Sequence, residues 1–202
     1  MIFMKELIVA TKNKGKLREI KDLLKEFDLK ITSLRDYPKH PKIFEDGKTF
    51  RANAIKKALT ISRFMNKLVM GEDSGLEVKV LDNQPGIFSA RFSGVQATDR
   101  KNNKKLLKML AGVPLKERHA RYRCFVALTE GNKVIAVVSG SCSGLISQKS
   151  FGKNGFGYDP VFFVPQYNKT FGQLDPAIKS QISHRGKALK RVKQVLKENL
   201  IG

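Results

Sequence analysis

Glu72 and Asp73 stand side by side where the apolar run Leu68–Gly71 ends, in the stretch LVMGEDSGLEV. The chain has only 18 acids against 39 bases, so two adjacent carboxylates at the end of a buried run ask for a chemical reason. Two carboxylates can hold Mg²⁺, a hard cation that takes oxygen ligands and keeps several waters. One of them can also take a proton from water. Equally, the pair can do no more than end the strand as a turn or cap. Side chains alternate in direction along a strand, so the two acids begin on opposite sides. The expectation is that a turn at Ser74-Gly75 brings both to the edge of a cleft at the strand ends, where open α/β sheets place ligands.

Four other stretches carry chemistry-bearing residues. In ATKNKGK, Ala10–Lys16, a strand passes through a loop directly into a helix. The first N–H groups of a helix and its positive end favour a phosphate, and Lys12, Lys14 and Lys16 add charge. The spacing is neither that of a Walker loop nor that of a dinucleotide fingerprint, and many surface helices begin with Asn and lysines. FEDGKTF, Phe44–Phe50, holds Glu45 and Asp46; Asp46-Gly47 reads as a turn before a helix. GKNGFGYDP, Gly152–Pro160, sets three glycines beside Phe156 and Tyr158. Glycine lets backbone approach a ligand and an aromatic ring offers a face for a base, although a tight loop plugged by aromatic core residues has the same composition. KSQISHRGKALK puts Ser183, His184 and Arg185 at a helix start. There the imidazole and the guanidinium fork could donate to a carbonyl or phosphate.

Hydrophobic periodicity supplies the elements that must position these residues. Lys5–Thr11 and Leu29–Leu34 read as strands. Between them Leu17, Ile20, Leu24 and Phe27 recur at helical spacing behind Asn13. Thr49 opens a helix with the stripe Phe50, Ala54, Ala58, Ile61 and Met65. Strands are expected at Leu68–Gly71 and Leu76–Leu81, and a helix from Thr98 to about Leu110. A hairpin of Tyr122–Leu128 with Val134–Cys142, a short strand VFFV ended by Pro165, and a helix from Arg185 to Asn199 complete the pattern. The order implies an α/β protein with a mixed sheet, organised as one two-lobed domain over residues 1–202 with no repeat or linker.

Bulk composition narrows the function classes. At 202 residues and 41% apolar the chain can bury a sizeable core. No apolar run is long enough to cross a bilayer, and the N-terminal MIFMKELIVATKNKGK reads as a first strand rather than a signal peptide. Cys124 and Cys142 read as reduced, buried thiols of a cytoplasmic protein. A formal charge of +21 attracts polyanions, yet the bases are mostly Lys and spread along the chain. No dense basic block appears, RKNNKKLLK, Arg100–Lys108, being the nearest, so a Lys-rich solvated surface competes with a nucleic-acid footprint.

Taken in order, ATKNKGKLREI, FEDGKTFRANAIKKA, EDSGLEV, PGIFSARFSG, FGYDPVFF and KSQISHRGKAL resemble the inosine triphosphate pyrophosphatase family from Leu7 to about Leu189. The resemblance implies an elongated central mixed β-sheet flanked by helices, two lobes with a substrate cleft between them, and a homodimer. It implies hydrolysis of non-standard purine nucleoside triphosphates, dITP or ITP and XTP, to the monophosphate and pyrophosphate with Mg²⁺. By this resemblance Thr11, Lys12, Asn13, Lys14, Gly15 and Lys16 hold the triphosphate, and Glu45, Glu72 and Asp73 are metal-binding acids, Asp73 also accepting a proton. Ser74 contacts substrate; Phe156, Gly157, Tyr158 and Asp159 form the base loop with Phe156 stacking; Lys179, His184 and Arg185 lie around phosphate and base. Arg185 or backbone N–H groups would donate to the 6-oxo group of the purine. Two rivals remain: a Maf-like nucleotide pyrophosphatase of other base preference, and a basic nucleic-acid-binding module. The first reading needs no nucleic acid and no membrane.

Overall fold

In a computed structural model, residues 5–199 are described; part of the N-terminal expectation falls on residues 1–4, outside them. Seven strands form one sheet in the order β2-β1-β3-β4-β5-β6-β7. They are β1 (Lys5–Val9), β2 (Leu29–Ser33), β3 (Leu68–Val78), β4 (His119–Glu130), β5 (Lys133–Ile146), β6 (Phe162–Val164) and β7 (Lys169–Thr170). Strand β1 runs parallel to β2 and β3, whereas β6 pairs antiparallel with β5 and β7. The sheet is therefore mixed, as expected. Among the described residues five α-helices accompany it: α1 (Lys14–Leu24), α2 (Phe50–Met65), α3 (Asp99–Met109), α4 (Pro176–Ile182) and α5 (His184–Asn199).

The chain forms two compact units, neither made of one continuous segment. The first comprises the residues up to Asp73, Cys124–Gly140 and those from Arg185 on; the second comprises Ser74–Arg123 and Ser141–His184.

Strand alternation organises the first unit. Leu7, Val9, Leu68 and Met70 share one cluster with Ile20 and Leu24 of α1 and Ala188, Leu189, Val192 and Leu196 of α5. Ile8, Ala10 and Val69 share another with Ala54, Ala58 and Ile61 of α2. Odd and even positions of β3 thus face different helices, as a period of two requires. Side-chain oxygens start the helices: Asn13 Oδ1 accepts from Lys16 N–H and Thr49 Oγ1 from Ala52 N–H. Gly71 fixes the distance between β3 and α2. A Cβ built there would lie 2.2 Å from Ala54 O and 2.6 Å from Ala58 N, so only glycine admits this approach.

The second unit is centred on Leu76, Val78, Leu106, Leu110, Tyr122, Phe162 and Phe171. Arg118 is buried in it, but its guanidinium donates to three carbonyls, those of Val113, Ser147 and Leu110. A buried charge satisfied this way braces the loops around it. Both cysteines are buried thiols, not joined in a disulfide.

Three expectations are corrected. Ser74-Gly75 does not turn the chain: β3 runs unbroken from Leu68 to Val78, and Lys79–Leu81 is a 3-10 turn. The hairpin strands are longer than the periodicity implies. Helix α4, capped by Asp175 with Pro176 at its first turn, was not expected.

Candidate catalytic site

A continuous β3 sends Glu72 and Asp73 to different partners. Asp73 follows the odd positions toward α2. Its Oδ1 lies 2.8 Å from Lys57 Nζ and its Oδ2 accepts from Asn53 Nδ2 at 3.3 Å. Lys57 Nζ also lies 2.8 Å from Glu45 Oε1 and donates to Glu72 O. Asn53 and Lys57 are one helical turn apart on α2, hence on one face. Asn53 Oδ1 in turn accepts Gly47 N–H at 2.8 Å, which ties the Glu45 loop to the helix. Two carboxylates distant in sequence therefore converge on one ammonium.

Electrostatics follow from burial. Removal from water pushes the Asp73 carboxyl above its ordinary value, and the like charge of Glu45 adds to this, although Lys57 pulls the other way. The same burial would lower Lys57, but Asp73 and Glu45 together outweigh it and hold the ammonium charged. Burial outweighs the pull of Lys57 and Lys16 on Asp73, and two carboxylates outweigh burial at Lys57, so both groups sit above their ordinary values.

Glu72 follows the even positions. Its carboxylate pairs with the Arg185 fork, Nε to Oε2 at 3.2 Å and Nη2 to Oε1 at 3.0 Å. Lys16 Nζ lies 3.4 Å from Oε1, Cys124 Sγ donates to the same oxygen, and Glu19 of α1 takes the third Arg185 nitrogen, Nη1. The three acids expected to bind metal are thus parted between two sets of partners. Among the described residues no group of three or more acids, histidines or cysteines is gathered for a metal; Glu45 and Asp73 are brought together, and alternation turns Glu72 away. The pair still fits Mg²⁺. Its oxygens already converge on a cation, the Lys57 ammonium, and two carboxylates suffice for an ion that keeps several waters.

The loop between β1 and α1 holds the remaining first-unit residues. Thr11 Oγ1 accepts Asn13 N–H at 3.1 Å and Asn13 caps α1. Lys12 and Lys14 are exposed, while Gly15 and Lys16 are half-buried. Arg185, expected near phosphate and base, is buried at 2% exposure with its fork on two carboxylates.

In the second unit, Ser74 is half-buried on β3. The loop Phe156–Asp159 is held by side chains: Phe156 N–H donates to Asp159 Oδ2 at 2.8 Å, Gly157 N–H to Asp99 Oδ2 at 2.7 Å and Tyr158 N–H to Tyr122 Oη at 3.1 Å. Lys179 Nζ donates to Asp159 Oδ2 at 2.6 Å and lies 5.0 Å from the centre of the Phe156 ring. Gly155, at φ +78°, could carry no Cβ, which would fall 1.9 Å from Asp159 Oδ2. His184 is buried, its ring stacked on Tyr122.

Residues 7–195 match the Ham1 family. The chain belongs to the Ham1 family. Among its relatives, the dITP/XTP pyrophosphatase of Desulforamulus reducens is 48% identical over 191 residues, covering 95% of both chains. That of Shouchella clausii is 46% identical, covering 96% of this chain and 97% of the relative. The solved structure of a HAM1 protein from Coxiella burnetii superposes with a TM-score of 0.87 at 37% identity, covering 96% of this chain and all of that one. The resemblance read from the six motifs is met, and so is the α/β class.

Asn53, Lys57, Glu19, Asp99 and Tyr122 were not singled out from the Ham1 sequence alone. Asn53 and Lys57 did leave a signal: polar residues beside Ala54 and Ala58 on the buried stripe of an amphipathic helix, one turn apart. Tyr122, Asp99 and Glu19 left none, because their partners are remote in sequence.

Proposed function

We propose that this chain hydrolyses non-standard purine nucleoside triphosphates, dITP or ITP and XTP or dXTP, to the monophosphate and pyrophosphate. The observation that carries the reading is the convergence of Glu45 and Asp73 on Lys57 in a chain nearly half identical to pyrophosphatases named for dITP and XTP.

Glu45 and Asp73 would hold Mg²⁺, which supplies charge neutralisation to the polyphosphate. The protein side chains do the rest. Asp73, lifted by burial, accepts a proton from water as the water oxygen bonds to the α-phosphorus; the bond from that phosphorus to the bridging oxygen breaks and pyrophosphate leaves. Lys57 and Asn53 hold both Asp73 oxygens in place. Thr11–Lys16 receives the phosphates on cationic side chains and helix-start N–H groups. Phe156 offers the purine a ring face, with the Lys179 ammonium near that ring. Hypoxanthine and xanthine present a 6-oxo acceptor where adenine presents an amino donor. A fixed donor, such as a backbone N–H of the loop, then disfavours adenine by leaving donor against donor. We further propose a cytoplasmic homodimer; light scattering after size exclusion tests the dimer.

Pyrophosphate release from dITP, beside dATP and dGTP, with Mg²⁺ and with chelator, tests the reading. Turnover of dITP should require Mg²⁺ and should fall about 10²–10⁴-fold in Asp73→Asn, the range for loss of a positioned acid or base. A folded wild-type chain that leaves dITP intact refutes it. Retention of DNA with steep salt dependence and no turnover would favour the nucleic-acid reading instead.

A further inference from the structure

Three consecutive N–H groups of the loop, at Phe156, Gly157 and Tyr158, each donate to a side chain. Two of the acceptors are carboxylates, Asp159 and Asp99. The third is the phenol of Tyr122, on β4, and it is buried with 7% exposure. Tyr122 differs from the two carboxylates in what its ring does. It stacks on His184, with ring centres 4.4 Å apart and planes 6° from parallel. It also packs tilted against Phe162 at 4.8 Å and lies within 6.1 Å of Phe171. The loop is further tied down by Tyr158 itself, whose hydroxyl donates to Ser89 O at 2.8 Å.

One side chain therefore touches two motifs that lie far apart in sequence: its oxygen holds the backbone of the FGYD loop, and its ring holds the imidazole of the SHR motif. Tyr158 N–H is buried at this contact, so no water replaces the phenol if it is lost, and a buried donor without an acceptor moves or strains its backbone. The stacked ring restricts the imidazole because aromatic pairs at this separation have a preferred geometry.

From this geometry we infer that Tyr122 is a positioning residue for purine recognition, fixing the Phe156 loop and His184 against each other. The inference rests on the proposed function, which makes both motifs substrate contacts. Tyr122 does not itself touch the reacting atoms. Its loss should therefore weaken binding of the purine end and leave the chemical step intact.

The test is Tyr122→Phe, which keeps the stacked ring and removes only the acceptor. Three quantities are read on the full chain with Mg²⁺: KM and kcat for dITP, the dITP-to-dGTP ratio of kcat/KM, and the Kd of dIMP by calorimetry. The expected result is KM and the dIMP Kd both raised about tenfold, kcat within about twofold, and a reduced dITP-to-dGTP ratio, since a loose loop discriminates less. Tyr122→Leu, which removes ring and acceptor, should extend the same pattern. A fall in melting temperature with KM and dIMP affinity within twofold of wild type would show a merely structural tyrosine and overturn the inference. A fall in kcat at unchanged KM would overturn it too. Failure of the wild-type chain to turn over dITP would be a different result, refuting the function and this role with it.

Discussion

At the scale of residues, Lys57 holds the position from which the acidic corner is governed. Its ammonium lies between Glu45 and Asp73, where it screens one carboxylate from the other. Removing it as Lys57→Met should destabilise the chain by about 3 kcal/mol, because breaking a buried pair leaves an uncompensated charge. Urea unfolding at neutral pH measures this. The pH dependence has a definite sign. Burial opposes the charge, but the two carboxylates raise Lys57 above its ordinary 10.5. Its contribution is therefore complete below pH 10.5 and is lost as pH climbs through the higher folded value. Unfolding curves from pH 9 upward should show a steeper loss in wild type than in Lys57→Met. In the variant, Mg²⁺ should raise the melting temperature more than in wild type, since the ion then relieves a repulsion that the lysine otherwise relieves.

At the scale of elements, the decisive contact is α2 against β3 at Gly71. Backbone atoms of Ala54 and Ala58 occupy the space a methyl group would need, and neither can rotate away. Gly71→Ala should push α2 off the strand, at a cost of about 1–3 kcal/mol, and carry Asn53 and Lys57 away from Asp73. Thermal unfolding together with dITP turnover tests this: both should fall, and a variant with wild-type kcat would show that the spacing is not what positions the acid. Elements also mark how far the sequence could be read. Helices α1, α2 and α3 were legible because apolar stripes and the caps Asn13, Thr49 and Thr98 are local signals. The adjacent acids Glu72 and Asp73 stood out in the sequence, but their geometry was misread. Ser74-Gly75 has turn composition, yet β3 lies inside the sheet between β1 and β4 and is buried along most of its length, and it stays extended through both residues, overriding local preference. The destination of Glu72 was illegible, because Arg185 lies 113 residues away and its fork could as well have been aimed at a phosphate.

At the scale of the whole molecule, the charge of +21 acts on encounter rather than on chemistry. A field of that sign draws in a triphosphate, and salt screens it within about 8 Å at physiological ionic strength. Accordingly kcat/KM for dITP should fall as KCl is raised from about 0.05 to 0.5 M, while kcat stays nearly constant; steady-state kinetics across that range decide, and a salt-insensitive kcat/KM would mean that the excess lysine serves something other than capture.

The two compact units are assembled from interleaved segments, and this has a consequence for how the protein is made. The core that Leu7, Leu68 and Met70 share with Ala188, Leu189, Val192 and Leu196 needs α5, which follows every other element among the described residues. Glu72 likewise waits for Arg185. On the ribosome, the strands that carry the acidic corner emerge before α5 and stay partly uncovered until that helix arrives. A polypeptide cut short before α5 would therefore carry Glu72 and Asp73 in its sequence and lack the helix that completes the core around them.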